Sequence, residues 1–195
     1  MAFLGQSFGE RSITNFRDRL VGGGTRPNMF EVNLTLPDGV LGVLDVDADM
    51  RFMIKAAEIP ASNIGNIPVP FRGRVLPVAG DRTFDPWTVT IINDTDFVLR
   101  DAMEKWSNSI NDLQTAQGTI NPEVYQRSAQ VKQLSREGAN PGDPEKVLRT
   151  YNFEGIYPNT VSSIPLDFGA TDQIEEFQVT FNYLFYEVVS PLGNF

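Results

Sequence analysis

A serine between two glycines near the amino terminus has the spacing for nucleophilic chemistry. The run Gly5-Gln6-Ser7-Phe8-Gly9 fits the Gly-x-Ser-x-Gly pattern of a nucleophile elbow, which requires a preceding strand and a following helix. Its serine also needs a general base, usually histidine, and the chain has no histidine. We therefore interpret this run as part of an amino-terminal arm.

Three aspartates at every second position could coordinate calcium. Asp45, Asp47 and Asp49 begin like an EF-hand loop, which would then need glycine at position 50 and glutamate at position 56. The chain has Met50 and Ala56 there, so the motif fails. The three carboxylates would share one face of a strand or loop. They indicate either a solvated acidic edge or an acidic stripe that faces a channel or a partner's basic residues.

Two further patterns could carry chemistry. Glu175 and Glu176 could do acid–base work if their carboxylates converged, but adjacent strand residues point to opposite faces. A capping or interface role is the better interpretation. The glycine run 22–24 lacks the Gly-Lys-Ser/Thr ending of a phosphate-binding loop, so we interpret it as a hinge.

The composition excludes several classes of function. The chain has no cysteine and no histidine, so it lacks the residues for disulfides, thiolate chemistry, structural zinc sites and imidazole catalysis. A formal net charge of −9 argues against a protein that binds nucleic acid tightly through its phosphates. We expect no enzyme activity, no metal and no cofactor.

No targeting or membrane segment is expected. The first six residues lack the basic and apolar regions of a signal peptide. The apolar stretch 40–44 is too short to span a bilayer, so we expect no membrane anchor.

Alternating apolar residues predict most of the secondary structure. Residues 30, 32, 34 and 36 are apolar and alternate with polar neighbours, as in a half-buried strand. Comparable patterns predict strands over 29–36, 50–59, 84–92, 147–157, 166–168 and 174–188. Prolines between residues 60 and 77 favour short edge-like strands and turns. The pattern over 123–135 fits a strand or a weaker helix, and 158–165 is predicted to be a corner.

One amphipathic helix is predicted over 94–114. Asn93, Asp94 and Thr95 supply capping oxygens at its start. Asp101 and Lys105 are spaced to pair on its exposed side. Its apolar face has spacings of three and four and comprises Leu99, Ala102, Met103, Trp106, Ile110 and Leu113.

These elements together predict a mainly β protein. Six to eight strands and one helix are typical of an antiparallel β-sandwich or barrel with one flanking α-helix. We expect an amino-terminal arm over 1–28 that is extended and flexible, and a single β domain over 29–195. A loop over 40–49 is expected to protrude from that domain.

Several stretches, taken in order, resemble the tail tube protein family of T4-like contractile phages. The resemblance covers about residues 28–186 and depends on order and spacing, since no single motif is diagnostic. It is carried by the strand, Asn-Asp turn and helix entry over 87–100 with Trp106 and Ile110, by 125–134, by Tyr151-Asn152-Phe153-Glu154-Gly155-Ile156-Tyr157-Pro158 with Val161 and 164–167, and by 174–183.

The resemblance implies a structural virion protein of the phage tail. Six copies would form a ring in which strands join into one continuous inner β-barrel, and rings would stack into the inner tail tube. The implied partners are further copies of the chain, the tail sheath protein, the baseplate tube initiator and the tail terminator. Double-stranded DNA would pass through the lumen during sheath contraction without being held. Assembly would take place in the bacterial host cytoplasm.

Two sets of residues are candidate functional positions in such a tube. An acidic wall avoids salt-sensitive phosphate contacts with passing DNA. The candidate lumen-facing acids are Asp45, Asp47, Asp49, Glu58 and Glu154. The arm and the 40–49 loop carry apolar residues but little local core, so we expect them to order on stacking. The candidate ring–ring contacts are Val40, Leu41, Val43, Leu44, Phe3, Phe8 and Phe16.

Three alternatives remain open at this point. The same fold could form the inner tube of another contractile injection system that carries protein cargo. It could also serve as a baseplate tube initiator or a tail completion protein. An unrelated enzyme or carbohydrate-binding β-sandwich is the third, although the Phe-rich alternation favours a core over exposed sugar-binding aromatics.

Overall fold

The protein folds as two packed antiparallel sheets, in agreement with the predicted mainly β sandwich. A computed structural model describes residues 13–20, 24–37, 53–135, 147–190 and 193–194. The helices in these ranges are α1 (Ile13–Arg19), α2 (Val98–Ile110) and α3 (Pro122–Tyr125). The strands are β1 (Phe30–Leu34), β2 (Ile54–Ala57), β3 (Ser62–Phe71), β4 (Arg74–Phe84), β5 (Trp87–Ile92), β6 (Arg127–Leu134), β7 (Val147–Val161), β8 (Glu176–Asn182), β9 (Phe185–Ser190) and β10 (Gly193–Asn194).

The long strand β7 belongs to both sheets. Its first part pairs with β6 and β9, which gives sheet one the order β1-β6-β7-β9-β10. From Tyr157 onward it pairs with β8, which gives sheet two the order β7-β8-β5-β2. Gly155 lies at the change of partner with a φ of 67°, a left-handed conformation that glycine adopts without steric cost. The strand therefore turns the corner between the sheets at this glycine.

The core lies between the two sheets and is rich in aromatic rings. Trp87 of β5 stacks on Phe153 of β7, with ring centroids 4.7 Å apart and planes 11° from parallel. Phe181 of β8 lies 5.5 Å from the same tryptophan. All three side chains are at most 1% exposed, so they join the two sheets at the centre of the domain.

Helix α2 covers one side of this core. Its buried residues are Leu99, Ala102, Met103 and Trp106, as predicted. The indole Nε1 of Trp106 donates to the backbone carbonyl of Tyr125 at 2.8 Å, which links α2 to α3. Asp94 accepts a hydrogen bond from the backbone N–H of Val98 at 3.1 Å and so supplies the predicted capping oxygen.

The helix is shorter than the predicted 94–114 at both ends: it begins at Val98, after Phe97 in a left-handed conformation with a φ of 56°, and a polar turn follows Ile110. Asp112 accepts hydrogen bonds from the backbone N–H groups of Gln114 and Thr115 at 3.0 and 2.7 Å. These hydrogen bonds lower the pKa of Asp112 below its usual value, and the largest effect comes from the backbone and side-chain bonds of Thr115. Leu113 in this turn is 91% exposed, so its predicted place on the apolar face is wrong.

The predicted helix-surface ion pair also differs. The i,i+4 salt bridge on α2 joins Arg100 to Glu104, whereas Asp101 and Lys105 were the predicted pair. Arg100 also stacks over the Phe177 ring, with its Cζ 5.1 Å from the centroid, and donates to the Ser162 carbonyl at 2.7 Å. These contacts fix Arg100 against sheet two.

The predicted strand 50–59 is shorter and irregular in the structure. Strand β2 spans Ile54–Ala57, and its pairing with β5 shifts register between Ile54 and Ala56. Ile54 is buried, but Ala56 is exposed because this irregularity breaks the alternation of faces. The first residues of the predicted strand, 50–52, lie outside the described residues.

The carboxyl-terminal strands also have different bounds. Strand β7 continues through the predicted 158–165 corner as far as Val161. The predicted short strand 166–168 is a turn, in which Leu166 and Phe168 are largely exposed. The predicted strand 174–188 is divided into β8 and β9, because the chain passes from sheet two to sheet one between them.

Two further segments, 13–19 and 123–135, have helices next to or in place of the predicted structure. The ambiguous segment 123–135 is mostly strand β6, preceded by the short helix α3. Residues 13–19, predicted to be extended, form the helix α1. The loop 40–49 lies outside the described residues.

Candidate assembly surfaces

Of the patterns that could carry chemistry, the structure describes the pair Glu175 and Glu176. The Glu176 carboxylate pairs with Lys55 Nζ at 2.6 Å, whereas Glu175 accepts a hydrogen bond from the Asn93 side chain. The two glutamates therefore do not converge. Ser7 and the aspartates 45, 47 and 49 lie outside the described residues. Among the described residues no group of three or more His, Cys, Asp or Glu could hold a metal ion. The helices in these ranges are also too short and too polar to cross a membrane.

The structure describes two of the five candidate lumen acids. Glu58 follows β2 at the margin of sheet two and is exposed. Glu154 lies on β7 in sheet one and is also exposed, next to the Gly155 corner. The two acids thus belong to different sheets, and their shared placement in a lumen remains a prediction.

Only one candidate ring–ring contact lies within the described residues. Phe16 projects from α1 and is 66% exposed, so it is free of the core. The remaining candidates, which fall outside the described ranges, are Phe3, Phe8, Val40, Leu41, Val43 and Leu44.

Strands β3 and β4 form a long two-stranded hairpin, here called the ribbon (residues 62–84). Its register continues that of the β2–β5 pair, since Ala57 pairs with Val89 and Ser62 with Phe84. At about 3.3 Å per residue its ten-residue strand β3 projects roughly 30 Å. At the base of the ribbon Phe84 packs against the domain, with its ring centroid 5.6 Å from that of Tyr186. The ribbon is therefore a projecting extension of sheet two.

The ribbon corrects the prediction of short strands and turns over 60–77. Its tip is a two-residue turn in which Arg72 and Gly73 have φ of 46° and 81°. Positive φ at both central residues is the turn geometry that matches the twist of a hairpin. Pro68, Pro70 and Pro77 lie within the strands, where Pro68 pairs with Pro77. A pair of prolines cannot exchange hydrogen bonds, so their nitrogens point away from the partner strand, where proline is tolerated.

Apolar side chains of the ribbon are exposed along its length. An isolated hairpin is marginally stable in water, and exposed apolar patches mark interaction sites. The exposed fractions lie between 41% and 65% for Ile64, Ile67, Val69, Phe71, Val75, Leu76 and Val78. The ribbon is therefore a surface that needs a partner.

A second exposed surface lies at the loop before β8. The loop forms a concavity of about 570 Å³, here called the acidic groove, lined by Pro165, Leu166, Asp167, Ala170, Gln173, Ile174, Glu175 and Glu176. Asp167 fixes its turn by accepting the backbone N–H of Gly169 at 2.8 Å. Leu166 and Ile174 are 85% and 70% exposed. The acidic groove thus combines carboxylates with exposed apolar side chains.

The outer face of sheet one carries buried polar acceptors. Glu31 is 6% exposed and has one oxygen 3.9 Å from Lys132 Nζ. Its other oxygen and the side-chain oxygens of Asn33 and Asn152 have no hydrogen-bond partner among the described residues. Buried polar atoms are normally satisfied. This face is therefore a further place where an added donor would stabilise the protein.

Both sheets also have open edges. Among the described residues no strand pairs with the outer side of β1 in sheet one or of β2 in sheet two. Unpaired strand edges favour association with another chain. The open edges, the ribbon and the acidic groove are thus all surfaces suited to assembly.

Sequence reasoning missed the ribbon because proline was interpreted as a strand breaker. Alternation of Ile67, Val69 and Phe71 before an Arg-Gly turn was a signal for a hairpin. Burial of Glu31 had no such signal, since its alternation with apolar neighbours predicted an exposed position.

Comparisons with known proteins agree with a tube subunit. The phage tail tube protein family model matches residues 25–189. Tail tube protein gp19 of Enterobacteria phage T4 is 31% identical over 166 residues, which cover 83% of this chain and 90% of that protein. The tail tube protein of Serratia phage KSP90 is 27% identical over 174 residues, covering 88% of this chain and 94% of the relative.

Solved structures share the fold at low sequence identity. The tube terminating cap of the anti-feeding prophage superposes with a TM-score of 0.60 at 17% identity, over 86% of this chain and 91% of that one. A sheath/tube terminator of an extracellular contractile injection system gives 0.60 at 12% identity, over 86% and 97%. The chain belongs to the phage tail tube protein family and is a structural subunit of an inner tube.

Proposed function

We propose that six copies of this chain form a ring, and that rings stack into the inner tube of a contractile phage tail. The tube conducts double-stranded DNA into the host when the sheath contracts. The tail sheath protein surrounds it, a baseplate initiator starts it and a tail terminator ends it. The protein thus works in the virion tail after assembly in the host cytoplasm.

The open sheet edges are the observation that carries this proposal. In a head-to-tail ring each open edge pairs with a neighbouring subunit, and the ring leaves no edge unpaired. Strands β1 and β2 supply such edges in the described part of the chain. Edge pairing around a sixfold axis closes the open sandwich of each subunit into one continuous inner β-barrel.

Passage of DNA requires a wall that does not bind phosphates. Each phosphate contact from Lys or Arg adds a salt-sensitive attraction that would slow the moving duplex. The chain has a formal net charge of −9, and Glu58 and Glu154 are exposed acids available to such a wall. Asp45, Asp47 and Asp49 extend the acidic set in this proposal.

Charge reversal at the described acids tests the proposed conduction. Particles carrying Glu58→Lys and Glu154→Lys should assemble normally and eject their genome more slowly than wild type, with the defect reduced at high salt. Glu58→Gln and Glu154→Gln are the matched controls, since they remove charge without adding a phosphate contact. Unchanged ejection by the lysine variants would contradict an acidic lumen at these positions.

Stacking is proposed to order the amino-terminal arm and the 40–49 loop. Phe16 is exposed on α1 and would be covered by an adjacent ring. Hydrogen exchange of these segments should therefore slow in the tube relative to the single subunit. Equal exchange in the two states would contradict their role in stacking.

An inner tube or tube initiator of a protein-carrying injection system is the alternative function. The similar structures from such systems establish only the fold, whereas the family match and the curated relatives belong to phage tail tube proteins. DNA inside particles that contain this subunit would support phage tube function. Particles with protein cargo and no DNA would support the alternative.

A further inference from the structure

The two faces of the ribbon differ in the size of their apolar side chains. Residues that alternate along β3 and their partners on β4 share a face, because side chains in a strand point to opposite sides in turn. One face, here called the apolar face, comprises Ile67, Val69, Phe71, Arg74, Leu76 and Val78. The opposite face near the tip comprises Asn66, Pro68, Pro70, Val75, Pro77 and Ala79. The apolar face carries the larger side chains, whereas the opposite face carries three prolines, Val75, Ala79 and Asn66, so the apolar face offers a partner more surface to bury.

The edges of the ribbon do not suit strand addition. Pairs two residues along from Pro68–Pro77 have the same orientation, so Pro70 also directs its nitrogen outward. Three outward positions near the tip therefore lack the N–H that an added strand would need. The ribbon is thus built to dock through a face and not through an edge.

The charge of the ribbon is opposite to that of the rest of the chain. Residues 62–84 contain three arginines and one aspartate, for a net charge of +2, whereas the whole chain carries −9. Arg72 lies over the Phe71 ring, with its Cζ 5.3 Å from the centroid. Arg74 pairs with Phe71 on the apolar face. The tip is therefore both apolar and basic, which fits an acidic apolar surface.

The acidic groove has this complementary character. Residues 162–176 contain four acids, no lysine and no arginine. Lys55 neutralises Glu176, and Arg100 reaches the carbonyl of Ser162 at the edge of the loop. Asp167 and Glu175 still line the groove together with the exposed Leu166 and Ile174. The groove therefore offers the tip both carboxylates and apolar contact.

The ribbon and the acidic groove lie at opposite ends of sheet two. Strand β5 starts at Trp87 beside the ribbon and ends at Ile92, which pairs with Glu176 at the groove. A surface at one end that fits a different surface at the other end gives a head-to-tail contact, which closes into a ring or continues as a filament. A second copy of this chain therefore offers the ribbon a complementary site.

We infer that the ribbon of one subunit docks its apolar face into the acidic groove of the next. The inference deepens the proposed tube function, on which it rests, by assigning the contact between copies. Association covers the apolar side chains, and Arg72 and Arg74 lie against the carboxylates of the neighbouring groove. Association thus stabilises the ribbon.

Cross-linking through introduced cysteines tests this contact. The chain has no cysteine, so every thiol cross-link comes from an introduced residue. The variant Val69→Cys/Gln173→Cys, treated with a short bis-maleimide in the assembled state, should form a ladder of covalent oligomers. A mixture of the two single variants should stop at dimers, because each copy then carries one thiol.

The matched control replaces the groove thiol with Gln130→Cys, an exposed glutamine on sheet one. It should give no ladder. Tubes without a ladder from the Gln173 pair would overturn the inference and leave the tube function intact. A ladder without tubes would support the contact and contradict the tube, and neither ladder nor tubes would overturn both.

A pair of ribbon substitutions adds a measurement without cross-linking. Leu76 and Val75 are each 61% exposed but lie on opposite faces of the ribbon. Leu76→Asp should raise the concentration needed for assembly about tenfold or more, as for a central interface residue, and Val75→Asp much less. Both should keep the melting temperature of the isolated subunit, since neither packs in the core. Equal effects of the two substitutions would overturn docking through the apolar face.

Discussion

Replacing Gly155 with alanine should strongly destabilise the fold, because this residue turns β7 from one sheet into the other. Its φ of 67° costs an alanine about 1–2 kcal/mol. A Cβ at this position would lie 2.7 Å from both Cγ and Cδ1 of Leu184, closer than van der Waals contact allows. Leu184 is 60% exposed and can rotate away, so this crowding costs only about 0.5–1.5 kcal/mol more.

The expected net loss for Gly155→Ala is about 1–3 kcal/mol, after the smaller entropy that alanine loses on folding is taken into account. For a chain of 195 residues this corresponds to a melting temperature lower by roughly 2–12 °C. The measurement is thermal and urea denaturation of the subunit, kept below the concentration at which it assembles.

A second substitution separates the two causes. The double variant Gly155→Ala/Leu184→Ala relieves the crowding but keeps the left-handed backbone. Gly155→Ala should therefore lower the free energy of unfolding less in the Leu184→Ala background than in the wild-type chain. Leu184 is 60% exposed, and its own truncation should cost little. A neutral or stabilising Gly155→Ala would refute the reasoning, because that result is expected where alanine fits the native backbone.

Two further predictions concern tryptophan and tyrosine side chains. Trp106→Phe should lower the free energy of unfolding by about 1 kcal/mol more than Trp87→Phe, as measured by urea denaturation. Trp106 Nε1 donates a hydrogen bond at 2.8 Å that phenylalanine cannot make, whereas Trp87 Nε1 has no partner among the described residues. Equal losses would contradict a stabilising role for that bond. Burial, and then the charges of Tyr186 and Asp85, raises the pKa of Tyr183 to about 12. The folded state thus binds this proton more tightly than the unfolded state. Its contribution to the free energy of unfolding is fully present below pH ~10 and is lost as the pH rises to about 12. Tyr183→Phe should remove this loss and the late step in ultraviolet titration; an unchanged titration would contradict the assignment.

Local patterns predicted the parts of the fold that depend on local chemistry. Alternation placed Trp87, Val89 and Ile91 in the core, where all three are buried. The Asp94 oxygen caps α2 as expected, because capping involves residues only a few positions apart. Features set by such short-range contacts were accessible from sequence.

Features set by distant contacts were not accessible in the same way. Periodicity could not show that β7 changes sheets at Gly155, since the partners β8 and β9 lie later in the chain. The apolar pattern continued into Leu113, but Asp112 forms a turn that directs the chain away from the core. Similarly, the prolines at 68, 70 and 77 are tolerated because their nitrogens point outward in a specific register.

The candidate site was only partly predictable for a related reason. Assembly surfaces are apolar or charged positions without an internal partner, and sequence alone assigned such residues to the core or to turns. Phe71 and Leu76 alternate like core residues yet are 65% and 61% exposed. Only the folded chain shows that the domain leaves them uncovered.

Electron microscopy of the purified protein tests the central claim most directly. If the chain is a tube subunit, concentrated protein should show sixfold rings with a central hole end-on and stacked, regularly striated hollow tubes side-on. Addition of short preformed tubes should accelerate this assembly, since their ends offer a site to which further rings add. Protein that remains monomeric at high concentration, with or without such seeds, would contradict the account.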